Sequence, residues 1–255
     1  MATFPDSLHV LEEKHRIRIE YLAETASTNL VASDRKYRHG DIVIAGSQTA
    51  GRGQRGNAWS SAPEMNLTFS AVLEPGRLPA EMQFYLSEIV SLSVAETLSE
   101  YGIGAKVKWP NDIYAGEKKI AGILIENYIM GPLIKRSVAG VGLNVNQSAF
   151  DPSLPNPTSV FLQTGETAEL TEALDVFLGK LYGWFSKLEA GDLNGIGSAY
   201  RSRLYRKEGE YLFSLPGGGI FKASIVEIMP AGELVLRMDD GETKPFLFKE
   251  VEFVL

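Results

Sequence analysis

The chain has 255 residues, carries 25 Lys and Arg against 32 Asp and Glu for a net charge of -7, and contains no cysteine. That length accommodates one sizeable domain and a small second one, and the acidic balance excludes a broad nucleic-acid surface, which needs clustered cations. The missing cysteines exclude disulfides, thiolate metal sites and a cysteine nucleophile.

Met1 to His15 mixes Pro, Asp, Glu and Lys with short apolar pieces and lacks the apolar run of a secretory signal. No stretch has the length of a membrane span, so a soluble cytoplasmic protein without membrane contact is expected. From Arg16 to Leu22, Ile17, Ile19 and Tyr21 alternate with charged residues, which predicts a half-buried strand. Ser27-Thr28-Asn29 opens a helix expected to run to about Arg38, with Gly40 as its left-handed stop. Asp41 to Gln48 predicts the next strand, Gly51 to Gly56 a loop, and Leu67 to Leu73 a third strand. A long helix follows between Pro79 and Gly102, with Met82, Tyr85, Leu86, Ile89, Leu92, Ala95 and Leu98 as its core stripe.

Strands are then expected around Lys106 to Trp109, at Ile120 to Glu126 beyond a turn through Ala115 to Lys118, and at Ser137 to Asn146. Leu170 to Leu188 and Ile196 to Tyr205 read as helices, and together these elements predict an α+β arrangement without strict βαβ alternation. From about Glu210 short apolar runs alternate with Pro216 to Gly219, Pro230 to Gly232 and Asp239 to Gly241, which predicts a small β-barrel of roughly five strands. The domain boundary is expected near Arg206, giving units 1–205 and 206–255.

Several clusters carry chemistry. Gly51 to Gly56 reads GRGQRG and fits a dinucleotide fingerprint by letter, but Asn57 to Pro63 is poor helix material, so a Rossmann site is rejected. What survives is a loop whose glycines let backbone N–H groups approach an anion, with Arg52 and Arg55 adding charge; a solvated surface turn is the bland alternative. Lys108-Trp109-Pro110-Asn111-Asp112 sets a rigid proline between an aromatic and two polar groups, although Asn and Asp also serve as ordinary turn formers. Lys119 begins a very apolar strand, so part of its stem is expected to be desolvated. Asn144 and Asn146 interrupt another apolar strand and need partners, either within the protein or from a ligand. His9, His15 and His39 show no metal-like grouping, and the motifs of serine hydrolases, zincins and Walker-type sites are absent.

In order, STN at Ser27 to Asn29, Q-x-x-G-R-G at Gln48 to Gly53, Trp59, KWPND at Lys108 to Asp112, KIAGILIE at Lys119 to Glu126 and GLNVN at Gly142 to Asn146 resemble the biotin protein ligases. The resemblance runs strongly from about Arg16 to Tyr205 and more loosely over the C-terminal β unit. It implies a class II synthetase-like catalytic domain followed by an SH3-like barrel. It further implies formation of biotinyl-adenylate from biotin and ATP with Mg²⁺, and transfer of biotin to a lysine of a biotin carboxyl carrier protein. By resemblance, Lys119 and Arg52 are the catalytic cations. The biotin pocket is assigned Ser27, Thr28, Asn29, Gln48, Gly51, Arg52, Gly53, Gln54, Lys119 and Gly122. The nucleotide side is assigned Arg52, Arg55, Trp59, Lys108, Asn111, Asp112 and Asn144, with Asp112 as the Mg²⁺ ligand.

The loop departs from the GRGRRGR of many relatives at Gln54 and Asn57. The catalytic strand is expected to begin near Arg16, which leaves no room for a DNA-binding winged helix, so no nucleic-acid partner is expected; a homodimer stays open. A lipoate or octanoate ligase on the same fold is the nearest rival, but its Gly-Gly-Gly loop and following histidine are missing between Gly51 and Trp59. A non-catalytic biotin or nucleotide sensor is the rival from another class.

Overall fold

Leu67–Leu73 is buried at every position, as a strand covered on both faces must be. A computed structural model describes residues 4–254, the side chain of Arg55 excepted. In chain order the first part contains α1 (Phe4–His15), β1 (Ile19–Thr25), α2 (Thr28–Ala32), β2 (Ile42–Gln48), β3 (Leu67–Leu73), α3 (Phe84–Glu100), β4 (Lys106–Lys108), β5 (Asp112–Ala115), β6 (Lys118–Met130), β7 (Leu133–Leu143), α4 (Val160–Thr164), α5 (Leu170–Glu189) and α6 (Leu193–Ser202). Its strands form a seven-stranded sheet of order β1-β2-β3-β7-β6-β5-β4, parallel only between β1 and β2.

Period-two alternation gives the sheet two different faces. One sends Ile42, Ile44, Phe69, Ala71, Ala139 and Val141 into the main core beneath α1, α3, α5 and α6. The opposite face carries Val43, Val72 and Val138, covered by the short α2 and by Tyr37. On that same face, Ser70, Gly140 and Gly142 continue the alternation toward an open cleft. The functional clefts of the fold therefore stand where the long helices do not.

The second part contains β8 (Tyr211–Ser214), β9 (Ile220–Ile228), β10 (Leu234–Met238), β11 (Thr243–Phe246) and β12 (Glu252–Phe253), in a five-stranded antiparallel sheet of order β11-β10-β9-β8-β12. Among the described residues no ladder joins β11 to β12, so the expected small barrel is an open sheet. It docks through the turn at Pro230 to Gly232: Trp109 Nε1 donates to the Gly232 carbonyl at 2.9 Å and Phe84 N donates to the Pro230 carbonyl at 3.2 Å. Gly232 has φ +108, and a Cβ there would lie 2.7 Å from Phe84 Cδ2, so only glycine fits the contact.

Two further expectations are corrected, and one helix was not expected at all. The first strand is shifted, with β1 at Ile19–Thr25. The helix opened by Ser27 ends at Ala32, because the Asp34 carboxylate takes the Lys36 N–H at 2.9 Å in a local turn and Arg136 Nη2 donates to the Ala32 and Asp34 carbonyls. The segment before β1 is helical: Leu8 and Leu11 are buried, Phe4 packs beside the core, and Asp175 of α5 accepts from Lys14 Nζ at 2.6 Å and His15 Nε2 at 2.7 Å. Phe4, Leu8 and Leu11 stand at helical spacing, which was the available signal. Among the described residues no helix is long and apolar enough to cross a membrane.

Candidate active site

Gly122 of β6 and Gly142 of β7 are direct partners across the ladder, and Gly140 lies two residues further along. These glycines make a floor without side chains. Trp59 packs directly against it, since a Cβ at Gly142 would stand 2.1 Å from Trp59 Cε2 and one at Gly122 3.1 Å from its Cζ3. The Trp59 Nε1 donor is buried and has no acceptor among the described residues, an unmet hydrogen bond that a ligand in the adjoining cavity could satisfy. Around the indole is a cavity of about 380 Å³.

One end of the cavity is a neutral hydrogen-bonding pocket. The Gln48 Oε1 accepts from Thr28 N at 2.7 Å and Thr28 Oγ1 at 3.1 Å. Buried Ser70 sits within hydrogen-bond distance of both Thr28 Oγ1 and Asn29 Oδ1, at 2.7 and 2.6 Å. Ser27, Thr28 and Asn29 are all buried, and the side chains of Thr28 and Asn29 are held by protein partners before any ligand arrives. Ser70 was missed by sequence reasoning, as was Thr68, which lines the cavity; their only signal was a pair of hydroxyls two residues apart in an otherwise apolar strand.

The other end is cationic. Lys119 Nζ lies 2.7 Å from Asp112 Oδ1 and 5.8 Å from the Trp59 ring centroid. Strict alternation would place Lys119 and Gly122 on opposite faces of β6, yet both line the cavity; an irregularity in register beside Ile113 and Tyr114 brings the lysine round. Lys108 Nζ lies between the rings of Tyr114, at 5.1 Å, and Phe253, at 5.5 Å. Burial pulls its pKa below the usual lysine value, opposed by the carboxylates of Asp112 and Glu252. Phe248, Val251, Glu252 and Phe253 complete this end, so the C-terminal sheet contributes wall to the cleft. Sequence reasoning did not assign them to the site.

Between the two ends runs the glycine loop. It folds back through Gly53 N to Asn57 O at 2.7 Å and Trp59 N to Gly51 O at 3.0 Å, which sets Arg52 opposite Ala58. Arg52, Gly53 and Gln54 line the cavity, while the Arg55 side chain lies outside the described residues.

The structure therefore brings Ser27, Thr28, Asn29, Gln48, Arg52, Gly53, Gln54, Trp59, Lys108, Asn111, Asp112, Lys119 and Gly122 around one cavity. Two expected residues fall outside its wall. A Cβ at Gly51 would meet Trp59 O at 2.3 Å and Gln48 Nε2 at 2.8 Å, so this glycine makes room for the loop to close and does not face the cavity. Asn144 turns its amide away, donating from Nδ2 to Thr158 O at 2.9 Å; Thr158 N in turn donates to Lys119 O at 2.8 Å. It buttresses the strand that carries Lys119. Asn146 is likewise satisfied internally by Ala168. Asn111 lines the cavity, but its Nδ2 is engaged by Ile123 O at 2.8 Å.

Residues 21–144 match the model of the biotin/lipoate A/B protein ligase family. A biotin--[acetyl-CoA-carboxylase] ligase from Paracoccus denitrificans is 31% identical over 208 residues, covering 78% of this chain and 85% of that one. The chain belongs to the biotin protein ligases. The ligase is also 36% identical over 140 residues to the bifunctional ligase/repressor BirA of Escherichia coli, covering 54% of this chain and 43% of that larger protein. A solved biotin protein ligase from Aquifex aeolicus, in complex with biotin and ATP, superposes with a TM-score of 0.77 at 26% identity, over 93% of this ligase and 99% of that chain.

Proposed function

We propose that this ligase joins biotin to AMP in the cavity around Trp59 and then passes the biotinyl group to a lysine of a biotin carboxyl carrier protein. The observation that carries this reading is the pairing of a neutral pocket, Gln48, Thr28 and Asn29, with a cationic end, Lys119 and Lys108, across one glycine floor. The ureido ring of biotin both donates and accepts hydrogen bonds, which suits the first; the carboxylate and the nucleotide phosphates suit the second.

In the first step a biotin carboxylate oxygen attacks the α-phosphorus of ATP, a P–O bond forms, and the bond to pyrophosphate breaks. Two anions are driven together, and at about 4 Å in an effective dielectric near 20 their repulsion is roughly 4 kcal/mol. Lys119 and Arg52 are the cations that offset it, and Asp112 orients the Lys119 ammonium. In the second step the neutral amine of the carrier lysine attacks the acyl carbon, AMP leaves, and the amine proton is lost to solvent. No protein nucleophile takes part. Among the described residues no three His, Asp or Glu side chains cluster as a metal site. Mg²⁺ would fit as an ion carried on the nucleotide phosphates, with Asp112 as a protein carboxylate that could hold it, where it would neutralise the departing pyrophosphate.

The same reading assigns 1–205 as the catalytic unit and 206–255 as a β unit that closes the nucleotide end, in a cytoplasmic enzyme. The test is biotin-dependent exchange of labelled pyrophosphate into ATP by the purified chain. Exchange with biotin and none with lipoate supports the proposal; exchange only with lipoate, or none with either, overturns it in favour of the lipoate ligase or the sensor.

A further inference from the structure

One carboxylate oxygen joins the two halves of the site from outside the cavity. Glu126 Oε2 accepts from Arg52 Nη2 at 2.7 Å and from Asn29 Nδ2 at 2.8 Å. Glu126 does not line the cavity around Trp59; it belongs to a neighbouring cleft of about 490 Å³, and Arg52 and Asn29 are the residues common to both. On the pocket side the chain of polar contacts continues through Asn29 Oδ1, Ser70 and Thr28 to Gln48. On the loop side the hairpin bonds of Gly51 and Gly53 hold the Arg52 backbone opposite Ala58, but they do not set the direction of its long side chain.

We propose that Glu126 is a positioning residue for the adenylation step, holding the Arg52 guanidinium at the boundary of the cavity in register with the Asn29 pocket. The inference rests on the reading of the site as a biotin-adenylating one. Its physical basis is the valence of the groups involved. A guanidinium offers five N–H donors in a fixed fork, so a carboxylate that takes Nη2 fixes the plane in which the remaining donors are presented. A reacting cation on a loop needs its geometry held within about 0.5 Å, and neighbours that supply that restraint need not touch the substrate. Arg52 and Glu126 side chains are 38% and 43% exposed, so solvent weakens the pair and its worth lies in orientation, with little contribution to stability.

The test compares Glu126→Gln and Glu126→Ala with the wild-type chain and with both changes repeated on an Arg52→Ala background. Pyrophosphate exchange at saturating biotin and ATP gives kcat, and biotin titration gives KM. We expect kcat to fall roughly three- to tenfold in Glu126→Gln and further in Glu126→Ala, with thermal melting unchanged within a few degrees. On the Arg52→Ala background neither change should lower the residual kcat by more than about twofold, because the group through which Glu126 acts is gone. KM for biotin, which reports the Asn29 arm, should rise on both backgrounds. In the unliganded protein, trypsin should cut after Arg52 faster in both variants. An equal fall in kcat on the two backgrounds, no fall on the wild-type background, or unchanged cleavage would each overturn the proposal. Absence of biotin-dependent exchange in the wild-type chain would instead overturn the function proposed above, so the two failures are distinguishable.

Discussion

The ammonium of Lys119 and the carboxylate of Asp112 lie 2.7 Å apart on adjacent strands, with the lysine side chain 33% exposed. The pair is wet enough to exchange partners and buried enough to hold direction, which is what a cation aimed at a developing charge requires. Lys119→Ala should therefore reduce biotin-dependent pyrophosphate exchange by ~100- to 1,000-fold, corresponding to ~2.7–4 kcal/mol of barrier, with the far-ultraviolet circular dichroism unchanged. A variant with undiminished exchange would show that the charge is stabilised elsewhere.

Gly142→Ala tests the floor. Its methyl group would stand 2.1 Å from Trp59 Cε2, a distance at which the indole has to lift from the sheet. Overpacking of this kind typically costs ~1–3 kcal/mol, and here the strain falls on the ligand-bearing face. Biotin affinity by calorimetry should drop by about tenfold or more, and the emission spectrum of the unliganded protein should shift as the indole meets water. Unchanged affinity would mean that ligand does not use the space over the glycines.

The C-terminal sheet is held at Trp109, whose indole N–H meets the Gly232 carbonyl at 2.9 Å in a buried contact. Trp109→Phe keeps the ring contact with Phe248, at 5.2 Å between centroids, and leaves the carbonyl unpaired. A loss of ~1–3 kcal/mol is expected for the orphaned acceptor, loosening the wall that Phe248 to Phe253 supply. The measured consequence should be a raised KM for ATP with little change in biotin binding; a rise confined to biotin would place the C-terminal wall at the wrong end of the cleft.

Away from the cleft, Glu88 of α3 is buried, its Oε2 has no hydrogen-bond partner among the described residues, and burial pushes its pKa up to about 8 against the weaker pull of Arg201. An acid with a raised folded-state pKa keeps its proton in the folded chain while the unfolded chain loses it, so stability falls as pH rises from about 4.5 toward 8. At pH 7 the cost is on the order of 3 kcal/mol, taking about 1.36 kcal/mol per unit. Glu88→Gln removes that cost: its melting temperature should exceed the wild type's at pH 8 and match it near pH 5. A gain that does not grow with pH would sink the assignment.

Much of this protein was legible in the sequence for a physical reason. Strand β3 and helix α5 are apolar runs long enough to fix their own class, and the ordered set of short motifs from Ser27 to Asn146 carries the family. What the chain could not reveal is which polar groups face inward. Asn144 and Asn111 have the same amide, yet only Asn111 lines the cavity, because Thr158 lies within reach of Asn144 in space though not in sequence. Lys119 reaches the cleft through an irregularity in strand pairing that no local pattern announces. Ser70 and Glu126 join Thr28, Asn29 and Arg52 across separations of 41 to 97 residues, and Phe253 meets Lys108 only through the docked second sheet. Local sequence fixes the periodicity of an element and the chemistry it carries; side-chain direction depends on register and on distant partners, which exist only once the chain has folded.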